Sequence, residues 1–183
     1  QAGTPAIRTS SIRDVIAIKE ETGLPVIGLV KVQYPGYEGF ITPTMKEVDD
    51  LVAAGSDIVA LDCTLRKRGD GSTVNEFIAQ IREKYPDIIL MADISNYEEG
   101  INAWKCGVDI VGTTMSGYTA YTSSVSDGPD YELMERLARD INIPVIGEGR
   151  IHYPDQAVKA LQPGAWAIVI GGAITRPLEI AMR

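Results

Sequence analysis

Cysteine is scarce in this 183-residue chain, with Cys63 and Cys106 the two present. They form no metal-ligand spacing and are too few for a disulfide scaffold, so a reducing cytoplasm is the expected compartment. Histidine is scarcer still. With His152 alone, a metal centre built on several imidazoles is excluded, and no Cys/His cluster replaces it. No apolar run reaches about 18 residues, which argues against a membrane span. No signal-peptide pattern is read at residue 1, where the chain starts abruptly. Positive charge is in deficit: 17 Lys+Arg against 25 Asp+Glu give a net charge of −8 and a pI near 4.7. A polyanion-binding surface and nucleic acid are therefore not expected. A small phosphorylated ligand is still compatible, because a few local donors hold one phosphate.

What is present is ordinary in bulk and specific in pattern. Hydrophobic residues make up 45% and charged residues 23%, as in a soluble globular domain. Four apolar runs each close on one charged residue: Val26–Val30 on Lys31, Ile58–Leu61 on Asp62, Ile89–Ala92 on Asp93, and Val145–Gly147 on Glu148. Buried parallel strands read as such runs. Strands are expected at Ala6–Thr9, Pro25–Lys31, Ile58–Cys63, Ile88–Ile94, Ile110–Met115, Pro144–Glu148 and Ala167–Gly171. Helices are expected between them at Ser11–Thr22, Met45–Ala54, Thr73–Lys84, Tyr97–Lys105, Tyr131–Asp140 and Pro154–Leu161. Val74, Phe77, Ile78 and Ile81 make an apolar stripe at helical spacing. Thr44 with Glu47, and Ser72 with Asn75, stand where helix caps belong.

Gly23, Gly55, Gly107 and Gly164 recur where helix C-caps should be, and two of them open near-identical phrases, Gly55-Ser-Asp-Ile-Val and Gly107-Val-Asp-Ile-Val. Strict alternation of strand and helix implies a parallel sheet with right-handed crossovers. Seven strands with no clear edge among them favour a single (β/α)8 barrel domain spanning 1–183 over a doubly wound open sheet. No Gly-x-Gly-x-x-Gly follows the first strand to support the latter. Because a full barrel takes at least about 200 residues, the first βα unit and the last helix are expected to be missing from this chain.

Side chains alternate along a barrel strand between interior and helix layer. Lys31 then points inward with Leu29 and Ile27, Asp62 with Ala60, Asp93 with Met91, and Glu148 with Ile146, while Arg8 reaches the same mouth. Each charge taken alone could equally mark an ordinary solvated strand end. A lysine between low-dielectric walls serves as a general base or as a Schiff-base nucleophile. Gly147-Glu-Gly149-Arg150 and Gly171-Gly172-Ala-Ile-Thr-Arg176 follow the last two strands, where barrel enzymes often hold a phosphate; a plain tight turn is the commoner use of paired glycines. Asp62 and Asp93 suit Mg2+ as oxygen ligands, but hydrogen bonding to substrate hydroxyls is the expected use, and no metal is expected. Tyr118 and Tyr121 lie in a hydroxyl-rich loop of a kind that can close over a ligand.

Several segments together resemble the bacterial N-acetylmannosamine-6-phosphate 2-epimerases: Gly23–Lys31, Phe40-Ile-Thr-Pro-Thr44, Ile58–Asp62, Met91–Ser95, Asp109–Thr119, Ile146–Ile151 and Ala173–Pro177. They run in order across nearly the whole chain. The resemblance implies a phosphate-binding barrel that interconverts N-acetylmannosamine 6-phosphate and N-acetylglucosamine 6-phosphate in sialic acid catabolism, without a cofactor. It implies Lys31 as the acid/base lysine and Glu148 as the second catalytic carboxylate, linked to ring opening. Substrate contacts are expected from Arg8, Asp62, Asp93, Gly149, Arg150, Gly171, Gly172 and Arg176, the last with its glycines near the phosphate. A homodimer is the expected assembly. Two other readings are a pentulose-phosphate epimerase, whose metal-dependent forms want histidines at strand ends, and an incomplete barrel that binds sugar phosphate without turnover.

Overall fold

A computed structural model describes residues 3–123 and 128–183. Seven parallel strands, β1 (Ile7–Ser10), β2 (Val26–Leu29), β3 (Ile58–Asp62), β4 (Ile89–Asp93), β5 (Ile110–Gly112), β6 (Val145–Glu148) and β7 (Ala167–Val169), pair in chain order. Helices α1 (Ile12–Thr22), α2 (Met45–Ala53), α3 (Val74–Lys84), α4 (Tyr97–Lys105), α5 (Tyr131–Asp140) and α6 (Pro154–Leu161) fill the crossovers. Two short helices, α7 (Gly172–Thr175) and α8 (Pro177–Ala181), follow β7. The sheet curves into a nearly closed TIM barrel, in which β1 and β7 each have one ladder partner among the described residues. No helix among those residues is long and apolar enough to cross a membrane.

The strand alternation separates two cores. Ile27, Leu29, Ala60, Met91 and Ile146 face inward and pack together inside the barrel. Their neighbours Val26, Val59, Leu61, Leu90, Ala92 and Val145 face outward and pack with Val15, Leu51, Ile78, Ile81 and Leu137 from the helices. Burial on both faces is why the strands read as continuous apolar runs rather than alternating ones.

The recurring Gly-x-Asp-Ile-Val phrases fasten the barrel floor. Gly55 and Gly107 adopt φ of +79° and +84° just past their helices, a turn that disfavours other residues. Each phrase's aspartate then reaches back to the preceding strand. Asp57 accepts from Val26 N–H and Lys19 Nζ, both at 2.7 Å. Asp109 accepts from Leu90 N–H at 2.8 Å and from Arg82.

Two local expectations need correction. Helix α3 is capped by Thr73 with Glu76 in a capping box, not by Ser72 with Asn75; Ser72 is already tied to Asp70 through both its N–H and hydroxyl. Strand β2 stops at Leu29, short of Lys31, because residues 41 and 42 enter between the ends of β2 and β3. The Thr44–Glu47 capping box is present as expected.

Candidate active site

The C-terminal ends of the strands gather the charged residues in one mouth, and Arg8 is its centre. From β1 its guanidinium crosses the barrel, donating from Nη2 to Asp93 Oδ2 at 2.7 Å and from Nη1 to Met91 Sδ at 3.3 Å. Its Nε stands 3.4 Å from Glu148 Oε1. Burial by itself would lower the proton affinity of Arg8, but the charges of Asp93 and Glu148 more than reverse this and raise it. Arg8 is therefore a fixed cation set inside the barrel.

Asp93 ends β4 in register with Asp62 on one side and Gly112 on the other. It is fully buried, and its second oxygen accepts from Thr114 Oγ1 at 2.6 Å. Glu148 ends β6, and Thr113 grips its backbone twice: the hydroxyl donates to Glu148 C=O at 2.9 Å and accepts from Glu148 N–H at 3.1 Å. Glu148 Oε2 is buried without a hydrogen-bond partner among the described residues. Burial pushes this carboxyl up to about 7, with Asp93 adding to the rise and Arg8, Thr114 and Lys31 opposing it. A glutamate in that range can give and take a proton near neutrality.

Lys31 lies two positions past β2, exposed at the mouth. No carboxylate among the described residues is within ion-pair distance of it, although its charge reaches Glu148. Asp62 also lines the mouth but is engaged locally, by Arg66 Nη2 at 2.5 Å and by Thr64 N–H and hydroxyl at 3.1 and 2.6 Å. No cluster of His, Cys, Asp and Glu with metal-holding geometry occurs among the described residues.

The glycine-rich segments lie at the ends of β6 and β7. Gly149 and Arg150 have φ of +111° and +56°, and this turn sends the Arg150 side chain toward the loop after β5. There its Nε donates to Gly128 C=O at 2.8 Å and its guanidinium lies 5.5 Å from the Tyr118 ring centre. Tyr121, in the same loop, donates to buried Glu99 at 2.5 Å. Gly171 caps and Gly172 opens α7, so the pair starts a short helix rather than a plain tight turn. Arg176, between α7 and α8, is exposed and paired with Glu179 at 2.8 Å.

The structure thus brings Arg8, Asp93 and Glu148 into contact, with Lys31 and Asp62 on the rim. Sequence reasoning missed Thr113, Thr114 and Arg66. The Thr113–Thr114 pair at a strand end is the available signal, an inconspicuous one because hydroxyls carry no charge.

The match to known proteins spans the chain. The family model described as "Putative N-acetylmannosamine-6-phosphate epimerase" covers residues 1–183. A relative from Caldanaerobacter subterraneus subsp. tengcongensis is 56% identical over 181 residues, covering 99% of this chain and 76% of its own. One from Clostridium perfringens is 49% identical over 183 residues, covering 100% and 81%. Both carry the family's name, as 2-epimerases, with the same qualifier. The solved structure of the N-acetylmannosamine-6-phosphate 2-epimerase from Clostridium perfringens superimposes with a TM-score of 0.94 at 48% identity, covering 100% of this chain and 79% of that one. This chain belongs to the N-acetylmannosamine-6-phosphate epimerase family.

Proposed function

We propose that the chain epimerises N-acetylmannosamine 6-phosphate and N-acetylglucosamine 6-phosphate at C2, through proton transfers at the mouth just described. The observation that carries this reading is the convergence of a fixed cation, a glutamate near neutrality with one bare buried oxygen, and an unengaged lysine. In the cyclic sugar, Glu148 exchanges a proton with the ring oxygen as the hemiacetal opens. In the open chain, the C2 hydrogen is alpha to the C1 aldehyde. The Lys31 amine takes that proton, and the bonding pair moves onto the C1 oxygen as an enolate. Arg8, held by Asp93, supplies the positive charge this oxygen needs, and electrostatic stabilisation of this kind is usually the largest single contribution to such a step. Return of a proton to the opposite face of C2 completes the inversion. The route moves protons only and calls for no redox partner.

Asp62, through its pairing with Arg66, is placed to shape the sugar side of the rim. Gly149, Gly171, Gly172 and Arg176 are assigned to the phosphate, and Arg150 to the loop beside it. The two free cysteines fit a cytoplasmic protein. A homodimer, with no nucleic-acid partner, is the assembly we infer, and one barrel domain is the unit of folding.

The test is hydrogen exchange at C2 of N-acetylmannosamine 6-phosphate in D2O. Exchange is expected with the wild type, and loss of about 10²–10⁴-fold with Lys31→Ala. Undiminished exchange in that variant would remove Lys31 from the proposed step.

A further inference from the structure

The Phe40–Thr44 motif takes no part in the chemistry above, yet it contains a backbone outlier. Thr42 is fully buried and has φ of +47°. A β-branched residue is rarely found there, and the following Pro43 narrows its backbone choice further. Such a conformation persists only where the surroundings over-determine it.

The surroundings lie where two strands part. The β2–β3 ladder has two pairs, Ile27 with Ile58 and Gly28 with Val59. Beyond it, the N–H of Val30 and the C=O of Ala60 have no ladder bond to make with each other. The Thr42 hydroxyl spans the gap, accepting from Val30 N–H at 3.2 Å and donating to Ala60 C=O at 2.7 Å. On one side the segment is bonded to the lysine's two neighbours: Thr42 N–H donates to Val30 C=O at 2.7 Å, and Val32 N–H to Phe40 C=O at 2.9 Å. On the other side Ile41 C=O accepts from Asp62 N–H at 2.9 Å. Residues 40–42 thus form a splint between the ends of β2 and β3.

Lys31 sits at the middle of that splint, bridged antiparallel to Ile41. The flanking bonds make this a non-hydrogen-bonded pair, the kind in which side chains come closest. Ile41 is buried with the barrel interior, and as the bridge partner of Lys31 it projects to the same side.

We propose that Thr42 is the positioning residue of Lys31: its left-handed backbone and bridging hydroxyl set the direction in which the lysine enters the mouth. The inference rests on the assignment of Lys31 to proton transfer. It separates two substitutions. Thr42→Gly accepts the same φ without strain but has no hydroxyl. Thr42→Ser keeps the hydroxyl. Thr42→Gly is expected to lose about 10–100-fold in kcat with KM little changed, since small misplacements of a reacting group cost that much. Thr42→Ser should keep most of the wild-type kcat. Equal losses in the two variants, or a loss confined to KM, would overturn the proposal.

Lys31 can also be followed without turnover, by 13C-methyl NMR after reductive methylation, with Lys31→Arg identifying its signal. The signal should move in Thr42→Gly and hold in Thr42→Ser; an unmoved signal in Thr42→Gly would overturn the assignment. If the wild type itself fails to exchange C2 hydrogen, the epimerase reading falls, while the NMR measurement still decides the role of Thr42.

Discussion

Arg8 stands 3.4 Å from Glu148 Oε1 but gives its shorter contact, 2.7 Å, to Asp93. One guanidinium therefore serves two carboxylates unequally. Glu148 is the less neutralised, and this inequality sets what each residue can be asked to do.

Burial raises Glu148 to about 7 against the pull of Arg8, whereas a free glutamate ionises near about 4.3. Between those values the folded chain keeps a proton that the unfolded chain has released. The stabilisation from Glu148 is therefore full at low pH and lost as pH rises through 7. Glu148→Gln is neutral at every pH. It should melt higher than wild type at pH 8, match it near pH 4.5, and be inactive at both. Lower melting at pH 8 would contradict the assignment.

Removing Arg8 exposes the other half of the inequality. Asp93 is fully buried, and the Arg8 side chain is 7% exposed. Arg8→Ala leaves a buried carboxylate with Thr114 as its side-chain donor and should cost about 3–5 kcal/mol in urea unfolding. Arg8→Met combined with Asp93→Asn should recover part of that loss. Simple additivity of the single losses would mean the ion pair is not the cause.

Gly117 has φ of +80°, and a Cβ there would lie 1.9 Å from Arg150 Nη1. Gly117→Ala must displace the guanidinium from Tyr118, and with the left-handed strain should cost about 1–3 kcal/mol. In an Arg150→Ala background the same change should cost less, because only the strain is left. Thermal melts of the four proteins in this cycle check it.

Arg176 is exposed, with its side chain at 64% relative accessibility, and is paired with Glu179, so it is available to an incoming phosphate. Arg176→Ala should raise KM for the phosphorylated sugar about 10-fold, the worth of one charge-assisted hydrogen bond, with little change in kcat. An unaltered KM would move the phosphate elsewhere.

Much of the fold and part of the mouth were legible because a strand has period two. With the apolar runs as barrel strands, the parity of Leu29, Ala60, Met91 and Ile146 puts Lys31, Asp62, Asp93 and Glu148 on one side. All seven strands and six crossover helices fall where expected to within a few residues. What stayed hidden depends on partners distant in sequence. Thr114 carries no charge and gains meaning from Asp93, 21 residues away. Thr42 takes a conformation that its own propensity opposes, imposed by Val30 and Ala60. Ser72 is a good cap by type but is already engaged by Asp70. The direction of the Arg150 side chain follows from a positive φ that no arginine announces.

The fastenings under the barrel have a further consequence. Asp57 closes β2 onto β3 and Asp109 closes β4 onto β5, each with a backbone N–H and a helix cation. The same fastening therefore serves two strand pairs of the floor, whereas Arg8, Lys31, Asp93 and Glu148 at the mouth follow no repeat. The molecule thus joins a base that reuses one fastening to a rim that repeats nothing, as a site acting on a single chiral carbon would require.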